Sequence, residues 1–291
     1  MNTKEILKAG EIAKQVKEYA KTIIKPGLAL LEIAEKIESK ILELGGKPAF
    51  PTNLSINNIA AHYTPSHDDE TLASGLLKID FGVHVNGWAA DTAFSLDLEN
   101  SETNKKLIQA SKVALEAAQK TIKPGVHANE IGKAIEETIE SFNFSPIINL
   151  SGHEMKNYEL HAGLTIPNID DGRKIIIKKG LYAIEPFATT GSGRIHDGKP
   201  SGIYMLQDYK NVRSPIAREI LAFIINEYKT FPFCSRWIVK KFKTKALFGL
   251  RQLEENGNLH HFPQLVEILG SKVAQSENTI LVQDKNIITT E

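Results

Sequence analysis

The amino-acid sequence predicts an α+β fold in which antiparallel strands are covered by helices and belong to two similar halves. Two observations carry this prediction: a pair of helices that occurs twice at a fixed offset, and a strand hairpin that follows the first pair. A third observation, a long segment that breaks the pattern, predicts an inserted subdomain in the second half. Helices that alternate with hairpins favour this class over a doubly wound parallel sheet.

The composition limits the classes of function. The chain has 291 residues, enough for a large core and one sizeable insertion. Lys+Arg and Asp+Glu both total 35. The chain therefore lacks the basic excess that would indicate binding to DNA or to nucleic acids in general. The single cysteine, Cys234, excludes an internal disulfide and fits a reducing compartment. No apolar run is long enough to span a membrane, and we therefore expect a soluble, cytoplasmic protein without membrane contact.

The first helix pair is indicated by hydrophobic spacing. Apolar residues recur every three or four positions over residues 3–22, which predicts an amphipathic helix that stops before Pro26-Gly27. A second helix follows and ends at Gly45-Gly46. The run TIIKPGLALLEIAEKIE recurs as KTIKPGVHANEIGKAIE, and aligning Pro26 with Pro124 also aligns a glycine, a glutamate and two isoleucines. The sequence therefore predicts two half-domains of one plan, related by a pseudo-twofold axis, with a site between them.

A β-hairpin is predicted in LKIDFGVHVNGWAADTAFSL, where Asn86-Gly87 fits a two-residue type I′ turn. This turn sets a register in which Gly82 lies opposite Asp91. Asp80, two residues before Gly82, then points to the same face as Asp91 and lies diagonally across from it. Aspartate is rare in strands. An aspartate pair flanked by apolar residues therefore predicts either a shared metal or a pair exposed to solvent.

Residues 193–262 break the repeated pattern and predict a small inserted subdomain between segments 1–192 and 263–291. Apolar residues at helical spacing from Ile216 to Tyr228 predict one helix, and one or two shorter helices follow up to Gly257. We expect this insertion to be helical and to resemble a winged helix. A basic cluster in it indicates contact with an acidic partner such as RNA, or else a solvated helix face: Arg236, Lys240, Lys241, Lys243 and Lys245.

Two glutamates lie in apolar runs on later strands. Glu185 stands in YAIEPF and Glu277 at the head of the strand in QSENTILVQD. A buried carboxylate needs a cation because desolvating its charge costs more than packing returns, whereas an edge-strand glutamate simply faces water. With His153 and the aspartates of the hairpin, these residues would form a ligand set of four carboxylates and one imidazole for two divalent metals.

Other familiar chemistries are excluded by spacing. His153-Glu154 is not followed by a histidine three residues later, so the His-Glu-x-x-His helix of zinc proteases is absent. Asp80-Phe81-Gly82 has the letters of a kinase metal-binding triplet, but no glycine-rich phosphate loop precedes it. Cys234 has no neighbours at the spacing of a catalytic thiol.

Five runs distributed from residue 47 to residue 282 resemble the type II methionine aminopeptidases, which belong to the pita-bread metallopeptidase family. The matching runs are KPAFPTNLSINNIAAHYTP, KIDFGVHVNGWAADTAF, GHEMKNYELHAGLTIPNI, YAIEPFATTGSG and VAQSENTILV. The resemblance implies a duplicated pita-bread fold, and the insertion before Glu277 is the mark of type II within it. It also implies an enzyme that removes the N-terminal methionine from nascent polypeptides and prefers a small second residue.

The resemblance further implies a role for each site residue. The implied metal ligands are Asp80, Asp91, His153, Glu185 and Glu277, with Asp91 and Glu277 bridging two divalent ions of cobalt, manganese, iron or zinc. A hydroxide shared by the ions would attack the first peptide bond, with Glu185 as proton shuttle. His62 and His161 would hydrogen-bond the substrate, and Phe50 would line the methionine pocket.

One residue departs from the family pattern, because Asn278 stands where a histidine commonly follows the last ligand. This change leaves the implied ligands intact and alters only their support. Two relatives with the same fold remain as alternatives: a proline-directed peptidase, which usually carries an extra N-terminal domain, and a non-catalytic protein that binds RNA or partners. A purely structural protein is a further alternative if the carboxylates do not converge. We expect a monomer that acts on nascent N-termini and contacts the ribosome.

Overall fold

The computed structural model describes residues 1–291 and contains two helix pairs, each followed by strands. The first half begins with helix α1 (Thr3–Ile23), helix α2 (Leu30–Glu43), strand β1 (Lys47–Ile56), strand β2 (Ile59–Ala61), strand β3 (Leu76–Val85) and strand β4 (Trp88–Asp97). Strands β1, β3 and β4 form one antiparallel sheet in that order. Helix α1 is capped at its N-terminus by Asn2, whose side chain accepts a hydrogen bond from the Glu5 amide at 3.4 Å.

The predicted hairpin between β3 and β4 is confirmed together with its register. Asn86 and Gly87 have φ values of 49° and 86°, the left-handed pair that a type I′ turn requires. Gly82 lies opposite Asp91, and Asp80 lies opposite Ala93. Because side chains alternate along a strand, Asp80 and Asp91 project from the same face of the hairpin.

The second half repeats the plan of the first. It contains helix α3 (Glu102–Thr121), helix α4 (Ala128–Ser141), strand β5 (Ser145–Pro146), strand β6 (Ser151–Met155), strand β7 (Thr165–Pro167), strand β8 (Gly180–Ile184) and strand β9 (Phe187–Thr189). Helix α4 begins and ends 98 residues after α2, which is the offset of Pro124 from Pro26. The turns before these two helices also match, since Gly27 and Gly125 have φ values of 83° and 93°. The duplication predicted from the sequence is therefore confirmed.

The segment that interrupts the second half contains helices and strands. It consists of strand β10 (His196–Leu206), helix α5 (Pro215–Glu227), strand β11 (Phe233–Cys234), helix α6 (Ser235–Phe242), a 3-10 turn (Lys243–Lys245), helix α7 (Ala246–Glu255) and strand β12 (Leu259–Val266). The predicted helices are present. The two long strands were not predicted, because their exposed polar residues and prolines hide a period of two. The predicted boundary after residue 262 falls inside β12, which pairs with β2 in a sheet of order β11-β10-β12-β2.

The chain ends with three strands that complete the second half: β13 (Val273–Gln275), β14 (Asn278–Val282) and β15 (Ile287–Ile288). Strand β13 pairs with β9, and β14 pairs with β8, in one continuous antiparallel register. The sheet order β15-β14-β8-β6-β7 brings distant segments side by side. An antiparallel bridge between Ala93 and Glu277 joins the two halves, with the Glu277 amide 2.9 Å from the Ala93 carbonyl oxygen.

Each half encloses its own hydrophobic core beneath its helix pair. The core of the first half has 18 buried residues and that of the second half has 20, so the halves are close to equal in size. A separate cluster of 11 buried residues lies within the insertion, around helices α5 to α7. These observations confirm the predicted α+β class with helices covering antiparallel strands. No helix combines the length and the apolar character that a membrane crossing requires.

Candidate metal centre

All eight site residues implied by the resemblance line one cavity of ≈ 360 Å³ between the two halves: Phe50, His62, Asp80, Asp91, His153, His161, Glu185 and Glu277. They come from β1, the loop after β2, the β3–β4 hairpin, β6, the segment after β6, and the ends of β8 and β14. Seven parts of the chain therefore meet where the halves join.

The hairpin carboxylates point into this cavity from the first half. Asp91 is 4% exposed, and its backbone is fixed to the second half because its amide donates a 2.7 Å hydrogen bond to the Thr279 hydroxyl. That hydroxyl in turn donates to the Asp91 carbonyl oxygen at 2.9 Å. The position of the aspartate is therefore determined by contacts between halves as well as by the hairpin.

His153 projects from the middle of β6, opposite Ala183 of β8. Its Nε2 atom lies 3.6 Å from Oδ2 of Asp91 and 3.9 Å from Oε1 of Glu185. Burial lowers the pKa of His153 to about 4, so the ring is neutral near pH 7 and has a lone pair to offer a cation.

Glu185 and Glu277 face each other across the β8–β14 strand pair of the second half. The β8–β14 pairing places Asn278 opposite Ile184, and one further step of the same register places Glu277 opposite Glu185. Ligand atoms of Glu277, Asp91 and His153 lie within 4.8 Å of one another. The remaining carboxylates, Asp80 and Glu185, line the same cavity beside this triad.

The electrostatics of the cavity favour bound cations. Burial, followed by repulsion from neighbouring carboxylates, raises the pKa of Asp80, Glu185 and Glu277 well above the usual range, and burial raises that of Asp91 to about 7. One oxygen on each of Asp80, Asp91 and Glu277 is buried without a hydrogen-bond partner. Carboxylate oxygens and one neutral imidazole suit divalent metals, so the residues present fit metal ions.

Gln275 is a contact of this centre that sequence reasoning missed. Its side-chain amide lies 3.3 Å from Oδ2 of Asp80 and 3.3 Å from Oε2 of Glu185, so one donor orients a carboxylate from each half. The backbone amide of Gln275 donates to the Ser95 hydroxyl at 2.9 Å. The available signal was its position two residues before Glu277 on an extended segment, which places both side chains on one face.

The two predicted substrate histidines flank the ligands from different directions. His62 has a φ of 62°, a left-handed conformation that is uncommon outside glycine, and its Nδ1 atom lies 3.2 Å from the Pro263 carbonyl oxygen. Burial lowers the pKa of His62 to about 4, which keeps it neutral. The ring of His161 packs edge-on against His153 with centroids 4.3 Å apart, and its side chain is exposed.

Phe50 forms part of the apolar wall beside the hairpin. A Cβ atom on Gly82 would lie 2.4 Å from the Phe50 ring, so only glycine allows the ring to cover the strand at this point. The rest of the apolar wall includes Leu160, beside His161, and residues of the insertion and its flank that the sequence did not indicate: Ile203, Pro232, Phe262 and Leu265.

Asn278, the departure from the family pattern, makes its contacts away from the cavity. Its side-chain oxygen accepts hydrogen bonds from Lys17 at 3.0 Å and from the Thr290 hydroxyl at 2.9 Å. The residue is 5% exposed and ties α1 and the C-terminal segment to β14. The amide at this position therefore supports the strand that begins beside Glu277.

Residues 4–284 match a protein family described as "Metallopeptidase family M24". The chain belongs to this family and is a metallopeptidase. Over 100% of both chains it is 48% identical to the methionine aminopeptidase of Pyrococcus abyssi and 46% identical to that of Pyrococcus horikoshii. A crystal structure of the methionine aminopeptidase of Thermotoga maritima has the same fold, with a TM-score of 0.72 and 23% identity over 100% of this chain and 98% of that one. Within the family, the chain is therefore similar to methionine aminopeptidases along its whole length, and the fold is the pita-bread fold.

Proposed function

We propose that this protein removes the N-terminal methionine from nascent proteins and peptides, with preference for a small second residue, and that it is of type II. The observation that supports this most strongly is the cavity in which four buried carboxylates, a neutral imidazole, two further histidines and an apolar wall face one another. Full-length similarity to methionine aminopeptidases supports the choice of substrate.

Two divalent cations are proposed for the five ligands. Asp91 and Glu277, whose ligand atoms lie within 4.8 Å of each other and of His153, would be shared by both cations. When bound, such cations supply a Lewis acid for the scissile carbonyl and a nucleophilic water near neutral pH.

The protein's own side chains would handle the protons and the orientation of the substrate. Glu185 has one oxygen held by Gln275 and the other facing His153, and we assign it the transfer of the proton from the nucleophile to the leaving amine. His62 and His161 would hydrogen-bond the scissile amide and the developing oxyanion, where a lost donor typically costs about 3–4 kcal/mol. Phe50 would contact the methionine side chain.

The assignment to type II depends on the insertion. We propose the division made from the sequence, with residues 1–192 and 263–291 as the catalytic domain and 193–262 as an inserted subdomain. The separate hydrophobic cluster around α5 to α7 supports it. Of the predicted basic cluster, Arg236 is buried and paired with Glu38, so that part of the prediction is wrong. The exposed side chains would contact the ribosome, and the enzyme would act as a cytoplasmic monomer: Lys240, Lys241, Lys243 and Lys245.

The decisive experiment is an assay of the purified protein, reconstituted in turn with manganese, iron, cobalt and zinc, on the peptides Met-Ala-Ser and Ala-Pro-Ser. We expect release of methionine from the first peptide and no release of alanine from the second. His153→Ala should abolish turnover, because it removes the only imidazole among the predicted ligands. A matched control is His196→Ala, which changes an exposed histidine on β10 and should leave turnover unchanged.

Two results would contradict the proposal. Cleavage before proline would favour a proline-directed peptidase of the same fold. Absence of turnover with every divalent metal, in protein that binds metal, would favour a non-catalytic binding protein. His161→Ala tests the finer assignment, since it should reduce turnover about 10²–10³-fold while metal content stays constant. Loss of metal in that variant would show that His161 is a ligand.

A further inference from the structure

A buried ion pair joins the insertion to the first half close to the substrate histidine. Arg236, in the first turn of α6, is 3% exposed, and Glu38 on α2 is 7% exposed. The guanidinium donates to both carboxylate oxygens of Glu38, at 2.7 and 2.9 Å, in the bidentate geometry that only arginine provides. Trp237 adds a third hydrogen bond to Glu38 at 2.8 Å. This ion pair is outside the metal centre and has no part in the proposed chemistry.

The same guanidinium also fixes the segment that carries His62. Its Nε atom donates to the Pro65 carbonyl oxygen at 3.0 Å, and Nη2 lies 3.5 Å from the Thr64 hydroxyl. That hydroxyl donates to the Thr52 carbonyl oxygen at 2.9 Å, and the Thr52 amide donates to Glu38 at 3.3 Å. Both residues that contact segment 62–65 are therefore held in place themselves. Arg236 is bound by Glu38, and Thr52 belongs to β1 and is also bound to Glu38.

His62 needs this support because of its backbone conformation. A φ of 62° is sparsely populated for residues other than glycine and persists only where the surroundings enforce it. On one side the His62 ring reaches the Pro263 carbonyl oxygen. On the other side, the next residues of the chain are held by Arg236. The Leu54 amide also holds the Tyr63 carbonyl oxygen at 2.7 Å, so loss of the guanidinium fork would loosen the segment two residues from the histidine without unfolding it.

We propose that Arg236 is a positioning residue for His62, through which the insertion determines the geometry of the catalytic cavity. This inference rests on the proposed role of His62 in binding substrate. The guanidinium acts through the Pro65 carbonyl oxygen and the Thr64 hydroxyl, and its charge is neutralised by Glu38. A small displacement of a substrate-contacting group lowers turnover strongly, whereas metal binding depends on other segments.

The test is a double-mutant cycle between Arg236→Lys and His62→Ala. Lysine keeps the charge beside Glu38 and loses the fork that reaches segment 62–65. We expect Arg236→Lys to lower kcat about tenfold or more, with less than a twofold change in KM and unchanged metal content, at a temperature where the variant is fully folded. In the His62→Ala background, the same change should lower kcat less than twofold, because the group it positions is gone.

Thr64→Val provides a second variant if Arg236→Lys does not fold, because it leaves the ion pair intact and removes only the hydroxyl link. It should show the same dependence on His62 with a smaller loss. Glu219→Gln, an exposed change on α5 of the same insertion, is the matched control and should leave kcat unchanged.

The possible results separate this inference from the proposed function. Equal losses of kcat in the wild-type and His62→Ala backgrounds would show a general structural effect and overturn the inference alone. Unchanged kcat in folded Arg236→Lys would also overturn it alone. If His62→Ala itself leaves kcat unchanged, the proposed role of His62 fails, and the inference fails with it.

Discussion

The two halves of this protein follow one plan, but they bring their carboxylates to the site in different ways. In the first half a two-residue turn connects β3 to β4, so Asp80 and Asp91 belong to one continuous hairpin. In the second half the equivalent partners, β8 and β14, are separated by residues 185–277, which include the whole insertion. Both arrangements end with two carboxylates on the same side of an antiparallel pair.

The β8–β14 pair is thus an interrupted hairpin, and this difference shows what such an interruption makes possible. A short turn fixes register locally, whereas β8 and β14 find each other through tertiary pairing with β6, β15 and the first half. Loop closure becomes only slowly more costly as the loop lengthens, so a long excursion is tolerated. The excursion supplies walls of the cavity, including Ile203 and Phe262, that the compact first half lacks.

The strongest test of this comparison removes one carboxylate from each half. Because both face one cavity, Asp80→Asn and Glu185→Gln should each reduce turnover by more than about 10²-fold, beyond the typical effect of a residue that only supports a ligand. Metal content by mass spectrometry and kcat on a Met-Ala peptide measure the effect. Asp197→Asn, an exposed change on β10, is the control. Normal activity in either variant would mean that the halves do not share one site.

Matched core residues test whether the halves contribute equally to stability. Ile33 on α2 and Ile131 on α4 occupy equivalent places in the repeat, and both are fully buried. Ile33→Ala and Ile131→Ala should each lower the free energy of unfolding by about 2–5 kcal/mol, through lost burial and a residual cavity. Urea denaturation provides the values, and Leu42→Ala, at a 58% exposed position, should change stability by less than about 0.5 kcal/mol. A much larger loss for one isoleucine would show that the halves are energetically unequal.

Much of the first half could be predicted from sequence because its signals are local. Asn86-Gly87 sets the turn, the turn sets the register, and the register aligns Asp80 with Asp91. The convergence of Glu277 depended instead on family resemblance, since no local pattern indicates that β14 pairs with β8. Gln275 was missed because the sequence does not distinguish it from a glutamine that faces solvent. Only the structure shows its two carboxylate partners.

Turn glycines provide a third and smaller comparison. Gly27 and Gly125 occupy equivalent turns with positive φ, and an added Cβ meets no atom within 4 Å at either. Alanine at each should therefore cost only the backbone term of about 1–2 kcal/mol, and the two costs should match. Gly87→Ala should cost more, because its Cβ would lie 2.3 Å from the Tyr158 ring. Thermal unfolding measures all three variants, and equal losses for Gly87 and Gly27 would show that the ring moves freely.

The smallest expected effect concerns His84, near the turn of the first-half hairpin. Burial, with repulsion from Lys47 and Lys229 and partial compensation by Glu227, lowers the pKa of His84 to about 4. The unfolded chain titrates near pH 6.5, so between pH 6.5 and 4 it binds a proton that the folded protein does not, and stability falls as the pH falls.

The contribution of His84 to this acid destabilisation is about 1 kcal/mol per pH unit, reached only below its unfolded pKa. His84→Gln retains an acceptor for the Gly87 amide, which donates to Nδ1 at 3.2 Å, and cannot be protonated. Urea denaturation of metal-free protein at pH 6.5 and 5.5 should therefore show a smaller loss in the variant than in the wild type. An equal loss in both proteins would show that His84 does not contribute to the acid sensitivity of the folded protein.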